Sequence, residues 1–102
     1  METSIAGFDW DGGNREKCEK HGVSRAEIED LFERELKILP DWKHSLPEEQ
    51  RYRAIGTTAT GRYIFVVFTI RQKSGKNFIR PISARYMHQK EIEHDEKENP
   101  QL

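Results

Sequence analysis

The sequence predicts an α+β fold in which N-terminal helices pack on a small antiparallel β-sheet, followed by a C-terminal helix. Helix-capping signals lie in the first third of the chain, runs of β-branched and aromatic residues occupy residues 51–84, and a charged segment with helix propensity follows at residues 88–98. The chain has 102 residues, of which 34% are hydrophobic, so one small domain is expected over residues 1–102. Residues 91–102 are expected to form an acidic helix or tail.

The N-terminal elements are predicted from turn and capping residues. The stretch FDWDGGN is expected to be extended and then to turn at its glycines, with Asn14 as the N-cap of a first helix closed by Gly22. A second helix over about residues 24–35 follows from the capping box SRAE and the apolar spacing after it. The stretch LKILP predicts a short strand that stops at Pro40, and residues 41–50 are expected to form a loop.

Three strands are predicted in the second half of the chain, over residues 51–58, 62–70 and 78–84. Pro81 lies inside the last of them and cannot donate to a β-ladder, so an edge position or a β-bulge is expected there. In a straight strand Arg80 and Arg85 would point to opposite faces. A site shared by both arginines therefore requires a bend near Pro81.

Charge is strongly divided along the chain. The net charge is −6 over residues 1–50, +9 over residues 51–90, which contain no Asp or Glu, and −4 over residues 91–102. A block with this many cations and no acid predicts a surface that faces a polyanion. The alternative is that these cations pair with acidic residues from the first half of the chain.

Several functional classes find no support in the sequence. No apolar run is long enough for a membrane span, and the N-terminus lacks the features of a secretory signal. The single Cys18 fits a reducing cytoplasm and is interpreted as a plain helix residue. The four histidines lack metal-ligand spacing and no glycine-rich phosphate loop is present, so neither a metal nor a cofactor is predicted.

The residue types of the basic block suit RNA chemistry. Cleavage of RNA by its own 2′-hydroxyl needs a base, a cation that stabilises the charged phosphorane and an acid, but no cofactor. Histidine suits the proton transfers, and the arginine fork matches two phosphate oxygens. Residues of the needed types are Lys20, His21, Arg51, Arg80, Arg85, Tyr86 and His88. Trp42, Tyr52 and Tyr86 could stack on unpaired bases. Residue types alone do not separate a nuclease from a passive RNA binder.

The stretch FDWDGGNREKCEKHGVS resembles the N-terminal signature of the BrnT toxins. The resemblance continues through EEQRYRAIG, the apolar strand and IRPISAR, and covers nearly the whole chain in order. It implies a type II toxin of RelE-like fold, an RNA endonuclease that arrests translation in the cytoplasm. It also implies a BrnA-like antitoxin with a DNA-binding domain, so that operator DNA is contacted only through the toxin–antitoxin complex.

Carried over by position, the resemblance assigns candidate site residues. It covers Lys20, His21 and Gly22 of K-H-G, Glu49 and Arg51 of E-x-R, and residues 82–85 with Arg80 before them. We expect Arg80 and Arg85 to clamp the scissile phosphate and His21 or His88 to exchange protons, with Tyr86 in the catalytic set. The residues expected to bind RNA are Lys20, Arg51, Arg53 and Lys90.

Two rival interpretations are also compatible with the sequence. The first is a non-catalytic RNA-binding module, or a degenerate toxin retained as a co-repressor with its antitoxin. The second is a structural protein that uses its basic face on an acidic partner. Cleavage of RNA without any metal ion would favour the enzyme over both.

Overall fold

The computed structural model describes residues 4–98 of the chain, and their side chains as far as residue 94. Its elements in chain order are β1 Ile5–Phe8, α1 Gly12–Glu19, α2 Arg25–Leu31, β2 Lys37–Pro40, β3 Arg51–Thr57, β4 Tyr63–Lys73, β5 Lys76–Tyr86 and α3 Gln89–Glu98. The predicted α+β class is confirmed. Residues 99–102 of the predicted tail lie outside the described residues. None of the helices described is long and apolar enough to span a bilayer.

The five strands form one sheet in the order β1-β5-β4-β3-β2. Strands β2 to β5 pair in antiparallel fashion, as predicted. Strand β1 pairs with β5 in parallel, so the prediction of a purely antiparallel sheet is wrong at this edge. The first strand is short and its partner lies near the other end of the chain, so no local turn signal marks the pairing.

Helices α1 and α2 cover one face of the sheet. The fully buried Ile28 and Leu31 of α2 pack in the same core cluster as Phe68 of β4 and Cys18 of α1. Burial in an apolar site raises the pKa of the Cys18 thiol to about 11, which fits a packing role. Because successive side chains of a strand alternate between faces, the other face of β4 carries Phe65, Val67 and Thr69. This second face is called the open face below.

Helix α1 begins three residues earlier than predicted. Asp11, not Asn14, is the N-cap: its carboxylate accepts the Asn14 N–H at 3.0 Å, and the Asn14 side-chain oxygen accepts the Asp11 N–H at 2.8 Å. The buried Asn14 amide also donates to the carbonyls of Asp9 and Pro81, at 3.0 and 2.8 Å. The reciprocal cap outweighs the poor helix propensity of Gly12 and Gly13.

Helix α2 starts at the predicted capping box but ends at Leu31, earlier than expected. The Ser24 hydroxyl accepts the Glu27 N–H at 3.1 Å, and the Glu27 carboxylate accepts the Ser24 N–H at 3.1 Å. We expect Ser24→Ala to lower the free energy of unfolding by about 1 kcal/mol. Urea denaturation checks this, with Ser24→Asp as the control that keeps an oxygen at the cap. An unchanged midpoint in Ser24→Ala would contradict the capping role.

Pro81 lies beyond the part of β5 that pairs with β1, which ends at Ile79, and it adjoins a β-bulge in the pairing with β4. Phe68 pairs with Pro81 and Val67 with Ser83, which leaves Ile82 as an extra residue of β5. One extra residue reverses the alternation beyond it. Arg80 lies opposite Thr69 and Arg85 opposite Phe65, so both arginines fall on the open face. The β-bulge predicted as one alternative near Pro81 is confirmed.

Candidate functional site

A groove of about 830 Å³ lies between the open face, the turn that follows β2 and helix α3. We call it the open-face groove. Its lining consists of Pro40 at the end of β2, residues 41–44 of the turn after it, Arg53 and Ile55 of β3, Phe65 of β4, Arg85 of β5, and Met87, Lys90, Glu91 and His94. The groove combines several cationic side chains with apolar and aromatic surface. It holds three predicted site residues: Arg53, Arg85 and Lys90.

Two arginines of the groove flank the central strand β4. Arg53 lies opposite Val67 on one side and Arg85 lies opposite Phe65 on the other. Two strand spacings and an offset of two residues along β4 separate them, or about 12 Å, which two extended arginine side chains can bridge. No carboxylate among the described residues forms an ion pair with Arg53, and its buried Nε has no hydrogen-bond partner there. The Arg53 guanidinium is therefore available to an anion.

Arg85 is held by a carboxylate of α3. Its Nη1 donates to Oε1 of Glu91 at 2.7 Å and its Nη2 lies 2.7 Å from Oε2, while its guanidinium stands 4.9 Å from the centre of the Phe65 ring. Carboxylate and phosphate oxygens use the same bidentate arginine geometry. Glu91 thus occupies the position on Arg85 that a phosphate group would take.

The Arg85–Glu91 pair predicts a pH effect. Hydrogen bonds from Arg85 and then from the His88 N–H lower the pKa of Glu91 from 4.5 to about 2. A depressed folded-state pKa stabilises the fold above the unfolded-state pKa and loses that contribution as the pH falls towards about 2. The free energy of unfolding falls between these pH values, and in Glu91→Gln we expect its slope against pH to be smaller. The difference in slope should correspond to the uptake of up to about one proton. Urea denaturation of both proteins across this range measures it, and identical slopes would contradict it.

The turn after β2 carries an aspartate–histidine pair at the edge of the groove. The Asp41 side chain is only 5% exposed; its Oδ2 lies 2.8 Å from Nδ1 of His44 and its Oδ1 accepts the His44 N–H at 3.2 Å. The neighbouring Trp42 is 74% exposed. The sequence did not predict this pair, because D-x-x-H in a polar loop is a weak signal.

Arg80 lies on the open face but outside the groove. It pairs with Asp11 at 2.9 Å and with Asp9 at 3.5 Å, and its side chain is 17% exposed. A hydrogen bond from Lys73 lowers the pKa of Asp9, and the charge of Arg80 adds to the effect. The strand positions opposite Arg80 and Arg85 are four residues apart on β4, or about 13 Å. The two arginines therefore share a face but bind different acids.

Three predicted site residues lie towards the helical layer. Tyr86 is opposite Ile64, and its hydroxyl donates to both oxygens of Glu27, at 2.8 and 3.0 Å. The hydrogen bond to Glu27 raises the pKa of Tyr86. Lys20 and His21 are exposed in the turn after α1. Gly22 follows them, has a positive φ of 88° that suits glycine, and lies next to the Tyr86 ring.

The remaining predicted residues have other surroundings. Arg51 pairs with Glu49 at 3.1 Å, and Arg71 binds the other oxygen of that carboxylate at 3.0 Å. These hydrogen bonds outweigh the effect of burial and lower the pKa of Glu49. His88 is exposed, and its backbone N–H donates to Glu91 at 2.9 Å. Neither Arg51 nor His88 lines the open-face groove.

The alternative reading of the charge division is correct for part of the basic block. Within the described part of the chain, the cations paired with acids of the first half are Arg51, Arg71, Lys73 and Arg80. Arg85 pairs instead with Glu91, which lies just beyond the block. What is left on the groove is a smaller cationic surface than the net charge suggested, built around Arg53, Arg85 and Lys90.

The fold and groove together define a small α+β protein with a groove that combines cationic side chains with the exposed Trp42. The sequence model of the family described as "Ribonuclease toxin, BrnT, of type II toxin-antitoxin system" matches residues 10–91. The chain belongs to the BrnT family of ribonuclease toxins, which confirms the resemblance. As a type II toxin it is expected to have an antitoxin partner. No curated protein matches the chain.

Proposed function

We propose that this toxin is an endoribonuclease of RelE-like fold that cleaves single-stranded mRNA in the cytoplasm and thereby inhibits translation. The observation that carries the proposal is the pair Arg53 and Arg85, which reach the same groove from opposite sides of β4. Single-stranded RNA needs cations along its backbone and a flat surface for its bases. Trp42 supplies the flat surface, and Lys43 and Lys90 add positive charge at the groove margins.

The chemistry follows from where negative charge develops. When the 2′-hydroxyl attacks the neighbouring phosphate, the non-bridging oxygens gain charge, and guanidinium groups already directed at them stabilise that state more than the ground state. Arg53 and Arg85 take this role, with Arg85 exchanging Glu91 for phosphate. Such a reaction needs no metal ion. No group of three or more potential metal ligands occurs among the described residues, but metal independence remains part of the proposal.

The proposal extends to the partner. A BrnA-like antitoxin with a DNA-binding domain neutralises the toxin, and the complex contacts operator DNA through that domain. The family membership supports this, since type II toxins have protein antitoxins. The catalytic roles of Arg80, His21, His88 and Tyr86, and RNA binding by Lys20 and Arg51, stay predictions, because none of these residues lines the groove.

Incubation of the purified protein with single-stranded RNA in excess EDTA tests the proposal. Cleavage fragments ending in a 2′,3′-cyclic phosphate and beginning with a 5′-hydroxyl are expected. A gel shift without cleavage would instead support a non-catalytic RNA binder that acts as a co-repressor with its antitoxin. One observation favours that rival: Glu91 closes the Arg85 fork, so the groove as it stands is occupied by a carboxylate of its own chain.

A further inference from the structure

We propose that His44 is the general base of the ribonuclease reaction and that Asp41 is its positioning residue. The inference rests on the proposed function and names the group that removes the proton from the attacking 2′-hydroxyl. It differs from the sequence-based expectation, which placed proton transfer on His21 or His88. His44 lines the open-face groove and contacts the buried carboxylate of Asp41, whereas His21 and His88 do not line the groove.

The contact with Asp41 determines which ring nitrogen of His44 carries the proton. An ionised carboxylate can only accept, so the 2.8 Å contact between Nδ1 of His44 and Oδ2 of Asp41 requires the proton on Nδ1. The neutral ring then carries its lone pair on Nε2, the nitrogen that can take a proton from a bound molecule. The Asp41 charge also stabilises the imidazolium that forms after the transfer.

The pair is held rigidly at the groove. The Asp41 N–H donates to the Arg51 carbonyl at 2.9 Å, and the Ser45 hydroxyl donates to the Asp41 carbonyl at 2.7 Å. That hydroxyl also accepts the Arg51 N–H at 2.8 Å, which ties the turn to β3. His44 keeps a side chain that is 49% exposed while its carboxylate partner is buried. A base that must meet substrate needs this combination of access and fixed orientation.

The buried carboxylate of Asp41 indicates a role beyond the stabilisation of the turn. An asparagine at position 41 would accept the His44 N–H equally well and would avoid the cost of burying a carboxylate. The ionised group adds one thing that an amide cannot supply, an acceptor that also favours the positively charged ring. The cations Arg53 and Arg85 of the same groove would bind the phosphate next to the 2′-hydroxyl.

The reaction step balances without a co-reactant other than water. Nε2 of His44 takes the 2′-hydroxyl proton as the 2′-oxygen bonds to phosphorus. The bond from phosphorus to the 5′-oxygen breaks, and the leaving oxygen takes a proton from water. The products are a 2′,3′-cyclic phosphate and a 5′-hydroxyl, and His44 then returns its proton to solvent.

We expect His44→Ala to lower kcat about 10²- to 10⁴-fold, with unchanged binding to a 2′-O-methyl RNA that cannot be cleaved. His21→Ala and His88→Ala are measured in parallel. A loss confined to either of these variants, with His44→Ala as active as the parent, would overturn this inference and leave the ribonuclease function standing. Absence of cleavage by the parent protein would overturn both.

A substrate with a sulfur atom in place of the leaving 5′-oxygen distinguishes base from acid, because the thiolate leaves without a proton. The His44→Ala defect is expected to persist on this substrate. Restoration of the parent rate would show that His44 protonates the leaving group, which contradicts the proposal.

The positioning role of Asp41 is tested by separating its effect on kcat from its effect on RNA binding. Asp41→Asn is expected to lower kcat while binding of the 2′-O-methyl RNA stays that of the parent, because the amide no longer holds the ring with Nε2 free to take the proton. A merely structural Asp41 would change stability and leave the kcat of the folded protein where it is. An unchanged kcat would overturn its role.

Discussion

Arg85→Ala is expected to reduce RNA cleavage by about two to three orders of magnitude while the protein stays folded. The Arg85 guanidinium is one of the two arginine groups proposed to stabilise the developing phosphorane charge, and loss of one such donor typically costs about 10²- to 10³-fold in rate. Its side chain is 39% exposed, so its removal leaves no buried cavity of the kind that unfolds a domain. Single-turnover cleavage of a short RNA measures the effect.

Two variants sharpen this prediction. Arg71→Ala is the matched control, since Arg71 is an exposed arginine paired with a carboxylate, 3.0 Å from Glu49, but lies outside the groove. It should cleave RNA at the parent rate. Arg85→Lys keeps the charge and loses the fork, so an intermediate rate is expected. Equal rates for Arg85→Ala and the parent would remove Arg85 from the site.

Phe68→Ala is expected to cause the largest loss of stability, about 3–5 kcal/mol. Phe68 is fully buried at the centre of the core, and its ring lies 5.2 Å from that of Phe32 at an interplanar angle of 86° and 5.4 Å from that of Tyr52 at 27°. Alanine would leave a cavity between α2 and the sheet. Because domains of this size have about 5–15 kcal/mol in total, the variant should be close to unfolding.

Trp42→Ala provides the contrast for this second prediction. Trp42 is also a large aromatic residue, but it is 74% exposed, so its removal should change the free energy of unfolding by no more than about 0.5 kcal/mol. Urea denaturation of both variants tests the difference. A Phe68→Ala protein as stable as the parent would show that the core is not built around this ring.

Local signals predicted most of the fold. The capping box at Ser24 and the β-branched run of β4 each determine their element through contacts near in sequence. The parallel strand β1 could not be predicted in this way, because its pairing with β5 joins residues from opposite ends of the chain. The prediction for the start of α1 was wrong because two glycines follow Asp11 and are poor helix formers, so the reciprocal cap between Asp11 and Asn14 was not expected.

The candidate site was predicted only in part. The bulge near Pro81 followed from the missing N–H of proline, and with it the shared face of Arg80 and Arg85. The acidic partners of the two arginines, Asp11 and Glu91, could not be predicted, because the fold and not the local sequence brings them together. The pair of Asp41 and His44 could not be recognised as part of a site from the sequence, because only the folded sheet brings it into one groove with arginines from β3 and β5.

The central claim is that RNA binds in the open-face groove, and the two tryptophans test it directly. The indole N–H of Trp10 donates to Glu29 of α2 at 2.9 Å, whereas Trp42 lines the groove. In a ¹⁵N–¹H NMR titration with 2′-O-methyl RNA, the indole signal of Trp42 should shift while that of Trp10 stays in place. A shift of Trp10 with an unmoved Trp42 would contradict the account, because it would place the RNA on the helical layer.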